Sequence, residues 1–209
     1  MKKLIIFDLD GVLIDSKEIH FNSLNLALSS ISDAYVISRA DQDSIFEGLP
    51  TKAKLQILTQ TKGLPRDLYD VIWQQKQQYS STMFLSVNID NELINLFKLI
   101  KQNNISIAVA SNSIRSTLDN CIRALGLTDL LDYSLSNEDV IHPKPSSEIY
   151  LRCMDRFGVS PKDVAIFEDS PVGKQAARSS GAKVFEVDNR LGLTFDKISD
   201  SIKYLNGEL

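Results

Sequence analysis

The sequence predicts an α/β protein, a doubly wound (Rossmann-like) parallel sheet core with an inserted α-helical cap. Three observations predict it. Short, continuously apolar runs recur along the chain, as expected of strands buried on both faces of a parallel sheet. Amphipathic helical patterns alternate with those runs, which is the signature of helices covering both faces. One long stretch breaks the alternation with helical patterns and no convincing strand.

The elements follow in order. Lys3–Phe7 (KLIIF) is the first apolar run, and it ends abruptly at Asp8. From about Ser16 to Thr82 come helical patterns over His20–Ser30, Thr51–Gln60 and Leu64–Tyr79, punctuated by Gly48-Leu49-Pro50 and Gly63-Leu64-Pro65. The sheet pattern then resumes. Asn91–Gln102 sets Leu93, Leu96, Phe97 and Ile100 on one face, and Ile105–Ala110 is the second strand run. Ile114–Leu125 is a helix stopped by Gly126, and a weaker strand is expected near Tyr133–Ser136. Ser146–Phe157 is a helix ending at Gly158. Asp163–Phe167 and Lys183–Val187 complete the strand runs. Ser160-Pro161 and Ser170-Pro171 each read as an N-cap followed by proline at the first helical position. The expected division is therefore a core of residues 1–15 and 83–209 and a cap of residues 16–82.

Composition narrows the function. The chain has 209 residues, 43% hydrophobic and 24% charged, with a formal net charge of -4. That mild acidity speaks against nucleic acid or an anionic membrane as partner. No apolar run approaches the roughly 18 residues of a membrane span, and no signal peptide is evident, so a cytoplasmic protein is expected. Cys121 and Cys153 form no metal-binding spacing and read as reduced, buried thiols.

Polar residues follow three of the apolar runs: Asp8-Leu9-Asp10-Gly11, Ser111-Asn112-Ser113 and Glu168-Asp169-Ser170. Ligands of open parallel sheets bind beyond the carboxyl ends of the strands, so these clusters are expected to converge. Lys144 sits between two prolines in His142-Pro143-Lys144-Pro145, a restricted loop suited to aiming a lysine. Up to four carboxylates in one crevice repel unless a hard divalent cation neutralises them, and Mg²⁺ favours such oxygen ligands. Ser111 offers a hydroxyl, and a helix start just after it would seat an anion. Cation, lysine and helix start together describe a phosphate site. A carboxylate within it can attack phosphorus, and a second, two residues on, can serve as acid and base.

These motifs, in this order, resemble the haloacid dehalogenase superfamily, in the branch with a helical cap after the first motif that includes β-phosphoglucomutase and phosphoglycolate-phosphatase-like enzymes. FDLDGVLIDS (Phe7–Ser16), ASNS (Ala110–Ser113), PKPSSEIY (Pro143–Tyr150) and FEDSPVGKQAA (Phe167–Ala177) match its four motifs. The resemblance implies Asp8 as nucleophile and Asp10 as general acid/base, with the Asp10 carbonyl on the metal. It implies Ser111 on the phosphoryl group, Lys144 steadying nucleophile and phosphate, and Asp169 with Glu168 on Mg²⁺. Asn112 is a candidate phosphate contact. Asp10 also speaks against dehalogenation, since dehalogenases of the family lack an aspartate there.

In the cap, His20 and Lys76 resemble cap residues that relatives carry toward the substrate, and residues 46–55 (FEGLPTKAKL) resemble the specificity loop. Lys52 stands where the mutase carries arginine, and lysine lacks the bidentate fork for a second phosphate. The expected activity is Mg²⁺-dependent hydrolysis of a small phosphomonoester, a small phosphorylated metabolite being the partner. A sugar phosphomutase is the alternative, and a catalytically silent phosphate-binding module is the alternative from another class. A monomer or weak homodimer is expected.

Overall fold

The computed structural model describes residues 2–46 and 49–208; Glu47 and Gly48 of the expected specificity loop lie outside them. The chain divides into two compact units, Met1–Ser16 with Val87–Leu209, and Lys17–Ser86. None of the described helices is long and apolar enough to cross a membrane.

The larger unit is built on five parallel strands, β1 (Leu4–Phe7), β2 (Ser106–Ala110), β3 (Tyr133–Leu135), β4 (Val164–Glu168) and β5 (Lys183–Glu186). Their order is β3-β2-β1-β4-β5. β1 lies in the middle, paired on both sides, which is why LIIF is apolar throughout and buried at every position. Phe7 stands level with Val109 of β2 and Phe167 of β4. One residue further along that row the chain reads Asp8, Ala110 and Glu168, with Ser111 and Asp169 next. The register alone thus delivers three polar clusters to one end of the sheet.

Alternate residues face opposite layers. On one face Phe97, Phe7, Phe167 and Phe185 stack in a row at centroid spacings of 5.0, 5.0 and 5.3 Å, with Tyr204 edge-on to Phe185. Phe97 comes from α5 (Asn91–Gln102) and Tyr204 from α9 (Phe195–Asn206). On the other face Leu4, Ile6, Ala108 and Ile166 form one buried cluster with Ile149 and Cys153 of α7 (Glu148–Phe157) and Ala176 and Ala177 of α8 (Pro171–Ser179). The remaining helix, α6 (Arg115–Ala124), follows β2. Both cysteines are buried and unbridged, and burial pushes both thiols up, Cys153 to about 12.

The smaller unit holds α1 (Lys17–Ser29), a short α2 (Arg39–Asp41) running into a π-helical turn at Gln42–Phe46, α3 (Thr51–Lys62) and α4 (Tyr69–Leu85). It has its own core, including Leu24, Leu28, Leu55, Leu58 and Ile72. Ser80 Oγ donates to Ser23 Oγ across 2.8 Å between α4 and α1.

Two expectations need correction. The helix read over Leu64–Tyr79 begins at Tyr69, after a 3-10 turn at Arg66–Leu68, and runs to Leu85. Pro65 disfavours helix at the residue before it, and buried Phe84 carries the apolar side past Tyr79, so the helical unit ends at Ser86 rather than 82. Ser160-Pro161 opens only a 3-10 turn, Pro161–Asp163, because β4 starts directly behind it; the Ser160 hydroxyl bonds the Asp163 carboxylate at 2.6 Å instead of capping an amide. Past the last strand run α9 buries Ile198, Ile202 and Leu205, capped by Thr194 and stopped by Gly207 in the left-handed conformation.

Candidate active site

Asp8 follows β1, Ser111 follows β2 and Glu168 is the last residue of β4. Lys144 reaches them from the loop before α7. Its Nζ donates to Asp8 Oδ1 at 2.7 Å and to Glu168 Oε1 at 2.6 Å, with the lysine side chain 3% exposed. The ammonium also lies 4.9 Å from the centre of the Tyr150 ring. The Lys144–Pro145 peptide is cis. Among the described residues, Asp8, Glu168 and Asp169 each place a carboxylate oxygen within 4.8 Å of the others.

The electrostatics of this cluster are unbalanced. Burial, then Glu168 and Asp10, push the Asp8 carboxyl well above its ordinary value, although Lys144 pulls the other way. Burial and Glu168 raise Asp169 to about 6. Burial alone would lower Lys144, but Asp8, Tyr150 and Glu168 hold its ammonium well above the usual range. One ammonium therefore does not offset the carboxylates around it, and a divalent cation would. Asp169 Oδ1 fits that need: it is buried with no hydrogen-bond partner. The backbone makes room for the same carboxylate, because Gly11 sits at φ +81 and any Cβ there would collide with Asp169.

Glu168 is fully buried and has both oxygens engaged. Oε1 accepts from Lys144 and from the Tyr150 hydroxyl at 2.7 Å; Oε2 accepts from the Asp169 amide and from the amide and hydroxyl of Ser170. Tyr150 escapes sequence reasoning because it flanks the apolar stripe of α7 and reads as core; its place six residues after Lys144, inside the third motif, was the available signal. Ser113 escapes as well. Its Oγ donates to Asp10 Oδ2 at 2.8 Å and so orients that carboxylate.

Around Ser111 the structure departs from expectation. The helix starts later than the anion-seat reading needs: α6 begins at Arg115, whose amide donates to Glu138 Oε2 at 2.7 Å. The Ser113 amide turns back to Ser111 Oγ at 2.9 Å. The seat is therefore partly filled by the chain's own acceptors. Asn112 is employed differently too. Its Oδ1 accepts from the Lys144 amide at 3.0 Å and its Nδ2 donates to the Lys144 carbonyl at 3.2 Å, so the amide group is spent on the lysine's backbone.

In the helical unit, His20 Nδ1 and Lys76 Nζ lie 3.2 Å apart, joining α1 to α4, and the His20 ring meets Phe84 edge-on at 5.8 Å. Lys52 is exposed in the first turn of α3, whereas Lys54 donates to Gln42 Oε1 at 3.1 Å.

Gly173, in the first turn of α8, packs its α-carbon against the Glu168 carboxylate, and a Cβ there would overlap it. Alanine ordinarily favours a helix over glycine by about 1 kcal/mol. Here the sign reverses, because Glu168 is pinned by five hydrogen bonds and cannot yield. Gly173→Ala is expected to destabilise by about 1–3 kcal/mol in urea denaturation; an unchanged or raised midpoint would contradict the packing.

A family model described as haloacid dehalogenase-like hydrolase matches residues 5–187. The chain is 28% identical over 181 residues to the phosphorylated carbohydrates phosphatase of Thermotoga maritima, covering 85% of this chain and 81% of that protein. It is 27% identical over 189 residues to the β-phosphoglucomutase of Bacillus subtilis, covering 86% and 80%. Its fold is similar to that of CbbY from Rhodobacter sphaeroides, solved in complex with phosphate, with a TM-score of 0.77 at 20% identity over 90% of this chain and 86% of that one.

Proposed function

The chain belongs to the haloacid dehalogenase-like hydrolases, and from that premise we propose that it is a phosphatase that hydrolyses a small phosphomonoester through an aspartyl phosphate on Asp8, with Mg²⁺ as cofactor. The observation that carries this reading is Lys144 buried between Asp8 and Glu168, with Asp169 beside them at the carboxyl ends of β1 and β4. A buried ammonium among carboxylates is a receptor for a group that is itself anionic and cation-bound.

In the proposed cycle the Asp8 carboxylate attacks phosphorus and the bond to the leaving alcohol breaks. Asp10, oriented by Ser113, gives its proton to that alcohol oxygen. It then takes a proton from water, which attacks phosphorus and frees Asp8. Lys144 and the Ser111 hydroxyl offset charge on the transferring oxygens, where positioning and electrostatics dominate catalysis. Asp8, Asp169 and the Asp10 carbonyl would hold Mg²⁺, which when bound neutralises phosphoryl and carboxylate charge. Glu168, with both oxygens engaged, keeps Lys144 and the 169–170 turn in place behind them. His20, Lys52 and Lys76 are the helical unit's candidate contacts to the substrate, a phosphorylated sugar or similar metabolite in keeping with the phosphatase relative.

The test is inorganic phosphate release from sugar phosphates, phosphoglycolate and nucleoside monophosphates. Release is expected with Mg²⁺, is expected to stop with EDTA and to return when Mg²⁺ is restored. No release from any of them, or release indifferent to EDTA, would overturn the proposal. The mutase relative supports a second reading, tested by adding β-glucose 1-phosphate with a trace of the 1,6-bisphosphate. Glucose 6-phosphate without free phosphate would select it.

A further inference from the structure

Among the described residues the loop that carries Lys144 has one main-chain hydrogen bond of its own, from the Ser146 amide to the Pro143 carbonyl at 3.1 Å. From Ile141 to Pro145 only three residues own an N–H, since Pro143 and Pro145 have none. All three donate to just two side chains. Ile141 N reaches Glu148 Oε1 at 3.0 Å and His142 N reaches Glu148 Oε2 at 2.9 Å. Lys144 N reaches Asn112 Oδ1 at 3.0 Å, and the Lys144 carbonyl accepts from Asn112 Nδ2 at 3.2 Å. The anchors come from different elements, Asn112 from the turn after β2 and Glu148 from the first turn of α7. Glu148 is itself steadied by Arg152 one helical turn on, whose Nε donates to Oε1 at 2.9 Å. The Ile141 and His142 amides hold the Glu148 carboxyl down to about 2, so it stays an acceptor at neutral pH.

We propose that Asn112 and Glu148 are positioning residues that together clamp the 141–145 loop and so set where the Lys144 ammonium meets the transferring phosphate. Neither residue needs to touch substrate to do this. The assignment rests on the phosphatase reading of the same site. It also converts Asn112 from a phosphate contact into a support of the residue that makes one. A carboxylate is required at 148 because two N–H donors converge on it. A glutamine offers one oxygen and turns an NH₂ toward the other amide.

The experiment is a pair of double-mutant cycles with Lys144→Ala. Asn112→Ala and Glu148→Ala are each expected to lower kcat by roughly 10–100-fold with KM changed far less, and Glu148→Gln to fall between Glu148→Ala and wild type. In the Lys144→Ala background the same substitutions are expected to lose most of their effect, since they act through the lysine. A merely structural role would leave the losses undiminished there, and that result would overturn the proposal. Calorimetric titration with inorganic phosphate and Mg²⁺ provides a second readout: the single variants are expected to weaken binding, and only where Lys144 is present. Should the wild type release no phosphate from any substrate, the phosphatase reading fails by itself. The titration cycle then still decides the clamp, because additive losses of phosphate affinity overturn it and coupled losses sustain it.

Discussion

Asp8→Asn is expected to abolish phosphate release while leaving the fold intact. The substitution keeps the size of the side chain and an oxygen that can accept from Lys144, but it removes the carboxylate proposed as the nucleophile. Loss of a covalent nucleophile costs on the order of 10⁴-fold or more in turnover. Stability moves much less. Asp8 is a buried carboxylate crowded by Glu168 and Asp10, and Lys144 keeps its second partner, Glu168, when Asp8 is neutralised. The stability read from thermal unfolding is therefore expected to change by no more than about 1 kcal/mol, in either direction. Turnover retained in the Asn variant would remove Asp8 from its proposed role, and an unfolded variant would place its importance in the core.

Lys144→Met is expected to fail on both counts. Methionine nearly preserves the volume, so the change isolates the charge from the cavity that alanine would leave. What remains is Asp8 and Glu168 with a shared hydrogen-bond donor gone and Asp169 close by. Removing one partner from a buried ion pair typically costs about 3–5 kcal/mol, because the other charge is left uncompensated. Turnover should fall on the order of 10²–10³-fold or more, the cost of losing one preorganised donor to developing charge. Lys144→Arg is not expected to restore it: a planar fork with five donors does not match a pocket built around one ammonium. Urea denaturation and phosphate release on the two variants measure both effects. A Met variant as stable as wild type would mean that Lys144 does not hold the carboxylates together.

The contrast between these two residues shows what a sequence discloses about such a site. Asp8, Asp10, Ser111, Lys144 and Asp169 are conspicuous because each interrupts a pattern: a charge at the end of an apolar run, or a lysine between prolines. The strand register then brings three of the clusters level, and that register follows from the same apolar runs. Tyr150 and Glu148 interrupt nothing. A tyrosine beside an apolar stripe reads as core, and a glutamate in a first helical turn as a charge favoured by the helix dipole. Their work lies in which atom they bond, and periodicity carries no information about that. Asn112 is visible in the sequence but its partner is not: its amide group bonds the backbone of residue 144. The late start of α6 has a similar cause. The main-chain path after Ser111 is set by the Ser113 amide turning back to Ser111 Oγ and by Glu138 accepting from the amide of Arg115, 23 residues earlier.

The strand order has a consequence for how the chain acquires its chemistry during synthesis. β1 precedes both of its neighbours by a long stretch of chain: β2 begins at Ser106 and β4 at Val164. Strand pairs so distant in sequence form slowly, since closing long loops costs entropy before pairing returns any of it. In an emerging polypeptide the strand that carries Asp8 has no neighbour for one edge until β4 has left the ribosome. Lys144 emerges before Glu168 and Asp169, so its ammonium is already available when those carboxylates arrive. A nascent chain that stops before Val164 holds every residue of the helical unit's core but lacks Glu168 and Asp169, so it cannot bring Asp8, Lys144 and Glu168 together.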